Sequence, residues 1–474
     1  YRLKKLVRRH RTAVGAATLG LLILLGTLAG TSIGLTRAIE AEKKALAESA
    51  LAEGTAEFLV SLFDGSDPTS YDPSPTARAL LDRGARLIDE DLKDQPRRRV
   101  RMLESIGRAY RGLGELDEAA ALLQEALDFR RLDDATDDAL ATTLFHLADV
   151  RSAQGDAEAA TALATEALEL RRAAANGPSL DVAESQQQLG LIAERSGDFD
   201  RSRDLYSDAL AAREQLLGPG DPSLGGVLNN LGNDAARRGD PGGAEALFTR
   251  ALTLYTDGLG AEHPNVASTL NNLALLKGNN GELEAAEELH GRALAIRRSA
   301  LDADHPDLAE TYNNYGVVLT DLGRYDDAVA MNLEALKIRR EVYGVDHFSY
   351  ASTVFNQGRI EDLRKRFEAA RAYYEEALDI FERTLGPDHM YTSYPLASLA
   401  AHDRGTGRYA LALERYRRTL EIRTPVLDSD AHPLIQEPLR NLHGLLLEMG
   451  RTDEAARVAE RIIEVPADGS AEPG

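Results

Sequence analysis

Apolar residues recur along most of the chain at helical spacing, in paired runs separated by a glycine. Around Gly281, Leu270, Leu273 and Ala274 mark one run, and Ala286, Leu289, Ala293 and Ile296 mark the next. Residues three and four apart share a helix face, so this pattern predicts one helix over Val266 to Asn279 and a second over Leu283 to Ala300. Gly281 falls between them, where a tight turn favours a residue without Cβ. Glycines followed by a charged residue lie at Gly114, Gly155, Gly197, Gly239, Gly281, Gly323, Gly407 and Gly450, in steps of 41, 42, 42, 42, 42, 84 and 43. The missing mark is Lys365, whose neighbour Phe367 keeps phase with Tyr325 and Tyr409, so nine units are visible. Glu262-His263-Pro264, Asp304-His305-Pro306, Asp346-His347, Asp388-His389 and Ala431-His432-Pro433 keep the same step. Proline suits a first helical turn, which explains why this mark opens a unit.

Upstream the pattern changes. Residues 1–11 are basic, and Thr12 to Thr36 is a run of 25 residues without a charge. At 1.5 Å per residue such a helix crosses a hydrocarbon core of about 30 Å, so the reading is a transmembrane helix over 12–36. A cleaved signal peptide competes with it, but the apolar run is longer than a signal's. The basic flank predicts a cytoplasmic N-terminus and repeats outside the cytoplasm. Gly26, Gly30 and Gly34 repeat every four residues, a spacing that lets two helices approach and would make a homodimer. The competing reading, weighted more heavily, is that glycine is common in membrane spans. An Ala- and Glu-rich helical stalk is expected over 37–63, a Pro-rich linker over 64–75 and a capping helix within 76–94. Repeats then fill 95–465 and a disordered tail 466–474. The chain opens on Tyr1 rather than Met, and the expectation is that it belongs to a longer protein.

A small residue after Leu on the first helix, Gly between helices and paired Ala on the second resemble the tetratricopeptide repeat. The 42-residue step with Leu270-Asn271-Asn272-Leu273-Ala274 looks like its kinesin-light-chain subtype. The resemblance implies an all-α, right-handed solenoid of about nine helix-turn-helix units, whose first helices line a concave groove that contacts extended peptides. It weakens at Lys365 and in the two earliest units, where Phe145-His146 and Gln187-Gln188 replace the Asn pair. A second resemblance covers the order of basic stretch, membrane span, stalk and the segment from Ala77 to Ala119. That order is similar to the C-terminal half of bacterial transmembrane serine/threonine protein kinases, in which a cytoplasmic kinase domain precedes the span. No Gly-rich phosphate loop, H-R-D-type loop or D-F-G is present in the sequence, so this chain alone does not transfer phosphate.

Charge and residue content narrow the chemistry. The formal charge is −22, which repels phosphate backbones and argues against a nucleic-acid partner. Without Cys there is no disulfide, thiolate metal site or thiol nucleophile. Three in-phase polar columns remain. Asn229, Asn271 and Asn313 recur with Asn230, Asn272, Asn314 and Asn356. A carboxamide both donates and accepts, so a ladder of them can pair with a peptide backbone of any sequence; the other reading is that they bond neighbouring repeats to one another. Arg130, Arg171, Arg213, Arg297, Arg339 and Arg423 recur late in the second helix; such a basic ladder could bind acidic peptide termini, but the favoured reading is that a cation there favours the helix dipole and pairs with nearby acids. His263, His305, His347, His389 and His432 are read as loop residues. Packed helices stand about 8–10 Å apart, so equivalent residues cannot share one metal ion. No cofactor or metal is expected. The function expected is protein or peptide recognition, as the sensor or scaffold part of a membrane kinase. The alternative is a stand-alone membrane-tethered scaffold.

Overall fold

The computed structural model describes residues 77–132, 137–427 and 429–463. The basic stretch, the expected span with Gly26, Gly30 and Gly34, the stalk, the linker and the tail lie outside the described residues. Among the described residues there are nineteen α-helices and no strand, and no helix is long and apolar enough to cross a membrane.

Helix α1 (Ala77–Asp91) stands first. Nine helix pairs follow in chain order: α2 (Pro96–Leu113) with α3 (Leu116–Leu132), α4 (Asp137–Ala153) with α5 (Ala157–Ala174), α6 (Leu180–Arg195) with α7 (Phe199–Leu217), α8 (Gly225–Arg237) with α9 (Pro241–Leu259), and α10 (Pro264–Asn279) with α11 (Leu283–Ala300). The last four are α12 (Pro306–Asp321) with α13 (Tyr325–Tyr343), α14 (Phe348–Leu363) with α15 (Phe367–Leu385), α16 (Ser393–Gly405) with α17 (Tyr409–Leu427), and α18 (Pro433–Glu448) with α19 (Thr452–Ala459). The chain divides into two compact units, one ending at Leu205 and the other starting at Tyr206. Within the second unit, α8, α10, α12 and α14 also touch in succession, so first helices stack into one continuous face.

The pairing follows from small residues. Second helices carry alanines seven residues apart, two turns along one face: Ala119 and Ala126, Ala160 and Ala167, Ala244 and Ala251, Ala286 and Ala293, Ala328 and Ala335, Ala370 and Ala377. Each is 0% exposed. An alanine lets the facing helix come close, and added volume at such a position strains the packing. Larger side chains fill the spaces between, as where Leu270, Ala267 and Val266 of α10 meet Ala293 and Ile296 of α11.

The turn inside each pair is a left-handed C-cap. At Gly281 φ is 81°, the Gly281 N–H donates to Gly278 O and the Glu282 N–H to Lys277 O, which satisfies carbonyls left open at the end of α10. Lys365 keeps this turn at φ 60°, donating to Asp362 O while Arg366 donates to Glu361 O. The unit therefore retains its turn without glycine, in a backbone region that a side chain makes costly. In the first unit, α1 covers the start of the pairs: Ile88 is 0% exposed in the cluster with Leu103 and Leu123, and Tyr110 Oη donates to Asp82 at 2.7 Å.

Candidate functional site

The Asn column lies on the stacked first helices, where a helix interior offers no advantage to asparagine. Asn271 of α10 and Asn313 of α12 point inward and are 1% and 8% exposed. Their partners one residue on, Asn272 and Asn314, are half-buried, as are Asn229, Asn230 and Asn356. Much of the column bonds from one repeat to the next. Asn356 Nδ2 donates to Asn313 Oδ1 at 3.0 Å and Thr353 Oγ1 donates to the same oxygen at 3.1 Å. Asn314 Nδ2 donates to Asn271 Oδ1 at 3.5 Å, and Asn229 Nδ2 to Thr269 Oγ1 at 2.9 Å. In the first unit Gln188, in phase with these residues, donates to Phe145 O at 2.7 Å.

Two members stand apart. The side-chain carboxamides of Asn230 and Asn272, one period apart on α8 and α10, make no hydrogen bond with another described residue, and both residues are half-buried rather than enclosed. Beside them, Leu275 on α10 is 37% exposed and Asn233 on α8 half-buried. Adjacent packed helices are about 10 Å apart and an extended chain advances about 3.3 Å per residue. Two carboxamides at that separation would meet residues about three apart in an extended strand laid across α8 and α10.

The Arg column is not a row of surface charges. Arg171, Arg297, Arg339 and Arg423 are at most 9% exposed, and each reaches forward into the next first helix. Arg171 Nη1 donates to Asp181 O and Ser185 Oγ at 2.9 and 2.8 Å. Arg297 Nη1 donates to Asp307 O and Thr311 Oγ1 at 2.8 and 2.5 Å. Arg339 does the same with Ser349 O at 2.5 Å and with Thr353 Oγ1, and Arg423 reaches Leu434 O at 2.7 Å. Burial pushes the pKa values of Arg339 and Arg423 down; the buried guanidiniums are held by fixed acceptors instead of water. Arg213, half-buried, donates to Ser223 O at 3.0 Å. Arg130 differs, pairing with Glu104 at 3.1 Å.

The His column caps helices. Nδ1 of His263, His305, His347, His389 and His432 accepts from the backbone N–H two residues ahead, at 3.1, 3.1, 3.2, 3.2 and 3.1 Å. Each histidine is thus an N-cap for a first helix or for the short 3-10 turn before it, satisfying a donor the helix leaves open. An accepting Nδ1 carries no proton, so the neutral Nε2–H tautomer caps. Burial, followed by the nearby Arg339 charge, lowers the pKa of His347 and favours that neutral form. Among the described residues no group of three or more His, Asp or Glu is arranged to hold a metal ion.

Comparison with known proteins agrees with this architecture. The family profile described as tetratricopeptide repeat matches residues 98–173, 181–257, 223–299, 265–341, 307–383 and 350–424, more than half of the chain. No curated protein matches. Among solved structures, a Rap protein complexed with competence and sporulation factor is 17% identical, with a TM-score of 0.51, over 81% of this chain and 97% of that one; this likeness is one of fold. BtubC of P. vanneervenii is 26% identical over 49% of this chain and 92% of that one, with a TM-score of 0.41. A putative kinesin light chain of Podosopora anserina with nearly identical repeats is 20% identical over 44% and 99%, with a TM-score of 0.38.

Proposed function

Because the chain belongs to the tetratricopeptide repeat family, we propose that its stacked first helices bind an extended segment of a partner protein, with Asn230 and Asn272 as the backbone-pairing rungs. The observation that carries this reading is that these two carboxamides alone in the Asn column have both exposure and no partner among the described residues. A half-exposed carboxamide can exchange water for a peptide amide and carbonyl at little cost, whereas an already bonded one cannot. Leu275 beside them offers an apolar contact for one ligand side chain. A Rap protein similar in fold is complexed with competence and sporulation factor, which supports a binding role for the repeats here.

The wider context we propose is the sensor or scaffold part of a membrane-anchored serine/threonine protein kinase. Its support is the order of basic stretch, uncharged 25-residue run and Ala/Glu-rich stalk ahead of the repeats. The repeats would face away from the cytoplasm, and ligand engagement would bias association of spans carrying Gly26, Gly30 and Gly34. The upstream coding sequence decides between this and a tethered scaffold: an in-frame kinase domain supports the former and its absence the latter.

The groove is tested by selecting extended peptides on the purified chain from a random display library. Their affinity is then compared between the native protein and the Asn230→Ala/Asn272→Ala variant. A loss of about tenfold or more with helicity intact is expected, since two hydrogen bonds to a ligand are removed. Equal affinity for both proteins would refute the assignment.

A further inference from the structure

A fourth column runs through the second unit, on the inner side of the second helices. Positions 206, 248, 290, 332, 374 and 416 are one period apart, and four of them hold buried aromatics: Tyr206, Phe248, Tyr374 and Tyr416. Two of them, Phe248 and Tyr374, pack where a glycine of the first helix of their pair leaves room. A Cβ at Gly232 would stand 2.5 Å from the Phe248 ring, and one at Gly358 would stand 2.8 Å from the Tyr374 ring. At the two central positions the column holds His290 and Asn332, both 0% exposed.

Neither is satisfied. Nδ1 and Nε2 of His290, and Oδ1 and Nδ2 of Asn332, are enclosed without a hydrogen-bond partner among the described residues. Both bear on the same helix. The His290 ring lies under Tyr315, centroids 6.0 Å apart and planes 24° apart, and Asn332 Oδ1 would be 2.8 Å from a Cβ at Gly316. Tyr315 and Gly316 are consecutive in α12, which also carries Asn313 and Asn314. Burial, reinforced by the Arg297 charge, lowers the pKa of His290 to about 4, so at neutral pH the ring is an uncharged group deprived of hydrogen bonds. Folding with an unpaired polar group loses the water it bonded in the open chain, and a local opening that admits water recovers it.

We propose that α12 is a movable rung: the segment from α11 to α13 opens locally more often than the pairs on either side, and each opening displaces Asn313 and Asn314 from Asn271 and Asn356. On the reading given above, which this regulation rests on, such displacement changes the spacing of the face beside Asn272 and lets it adjust to ligands of different bulk.

Amide hydrogen exchange on the purified chain tests this without a ligand. Core amides of α11 to α13 are expected to exchange about tenfold faster than their in-phase counterparts in α8, α9, α14 and α15, as sub-global opening predicts. Filling the column with His290→Phe and Asn332→Tyr should bring the two sets within about threefold of each other. Equal protection in the native chain overturns the proposal, and so does a contrast that the filled variant leaves unchanged. Should the double variant fail to fold, His290→Phe alone carries the second arm, and the native comparison stands regardless. A contrast in exchange with no effect of Asn230 and Asn272 on peptide affinity would keep the movable helix and discard the binding face; the reverse pair of results would do the opposite.

Discussion

Two neighbouring stretches of the second unit carry the same asparagine pair and use it differently. From Pro306 to Leu363, Asn313 is buried and accepts from both Thr353 and Asn356, while Asn314 reaches back to Asn271. From Gly225 to Asn279, Asn229 reaches forward to Thr269, but the side chains of Asn230 and Asn272 reach no partner among the described residues. The residue type and its phase are the same in both. What differs is whether the adjoining repeat offers an acceptor or donor at the right height, so an in-phase column is a set of opportunities and its use is decided rung by rung.

That contrast can be broken by mutation. The largest effect is expected from Asn313→Ala, which removes the shared acceptor and leaves Asn356 Nδ2 unpaired; a loss of about 1–2 kcal/mol in chemical denaturation is expected. An intermediate effect is expected from His305→Ala, which removes a cap from α12 without touching the ladder, at about 1 kcal/mol by the same assay. The smallest is expected from Asn272→Ala, which breaks no intramolecular bond and should leave stability within about 0.5 kcal/mol. If Asn272→Ala costs as much as Asn313→Ala, the distinction between committed and available rungs collapses.

Lys365 sharpens the comparison from the backbone side. It occupies the left-handed position that glycine fills at Gly281, Gly323 and Gly407, so Lys365→Gly should stabilise its unit by roughly 0.5–1 kcal/mol if relief of strain outweighs the extra freedom of the unfolded chain. A neutral or destabilising result in the same denaturation assay would show that the turn is not strained.

Helix positions were legible because periodicity reports them directly. The expected helix over Leu283 to Ala300 is the observed α11, and the one from Val266 to Asn279 begins two residues earlier, at Pro264, because His263 caps it. A helix also stands at Ala77–Asp91, where apolar spacing predicts one. Side-chain partnerships were not legible. A helical wheel places Arg297 on a face but does not say that the next repeat covers that face, so a charge expected to pair with nearby acids is 2% exposed and held by a backbone carbonyl and a hydroxyl. The loop histidines gave no local hint of capping except their place just ahead of a helix, twice removed from the donor they accept. His290 and Asn332 were hidden for the opposite reason: as polar residues they broke the apolar count, and only the 42-residue phase with Phe248 and Tyr374 shows them to be core.

The buried arginines have one more implication, which concerns copy number. Arg171, Arg297 and Arg339 each grip a carbonyl ten residues ahead and a hydroxyl fourteen ahead, and none needs anything beyond the adjoining unit. A chain fastened by such short, one-directional ties has no long-range bookkeeping, because each unit specifies only its successor. Whole periods can therefore be duplicated or excised as sentences are from a paragraph, with every clasp re-forming at the same offset across the join. A change of half a period would bring guanidiniums opposite the wrong helix and strand them in the interior.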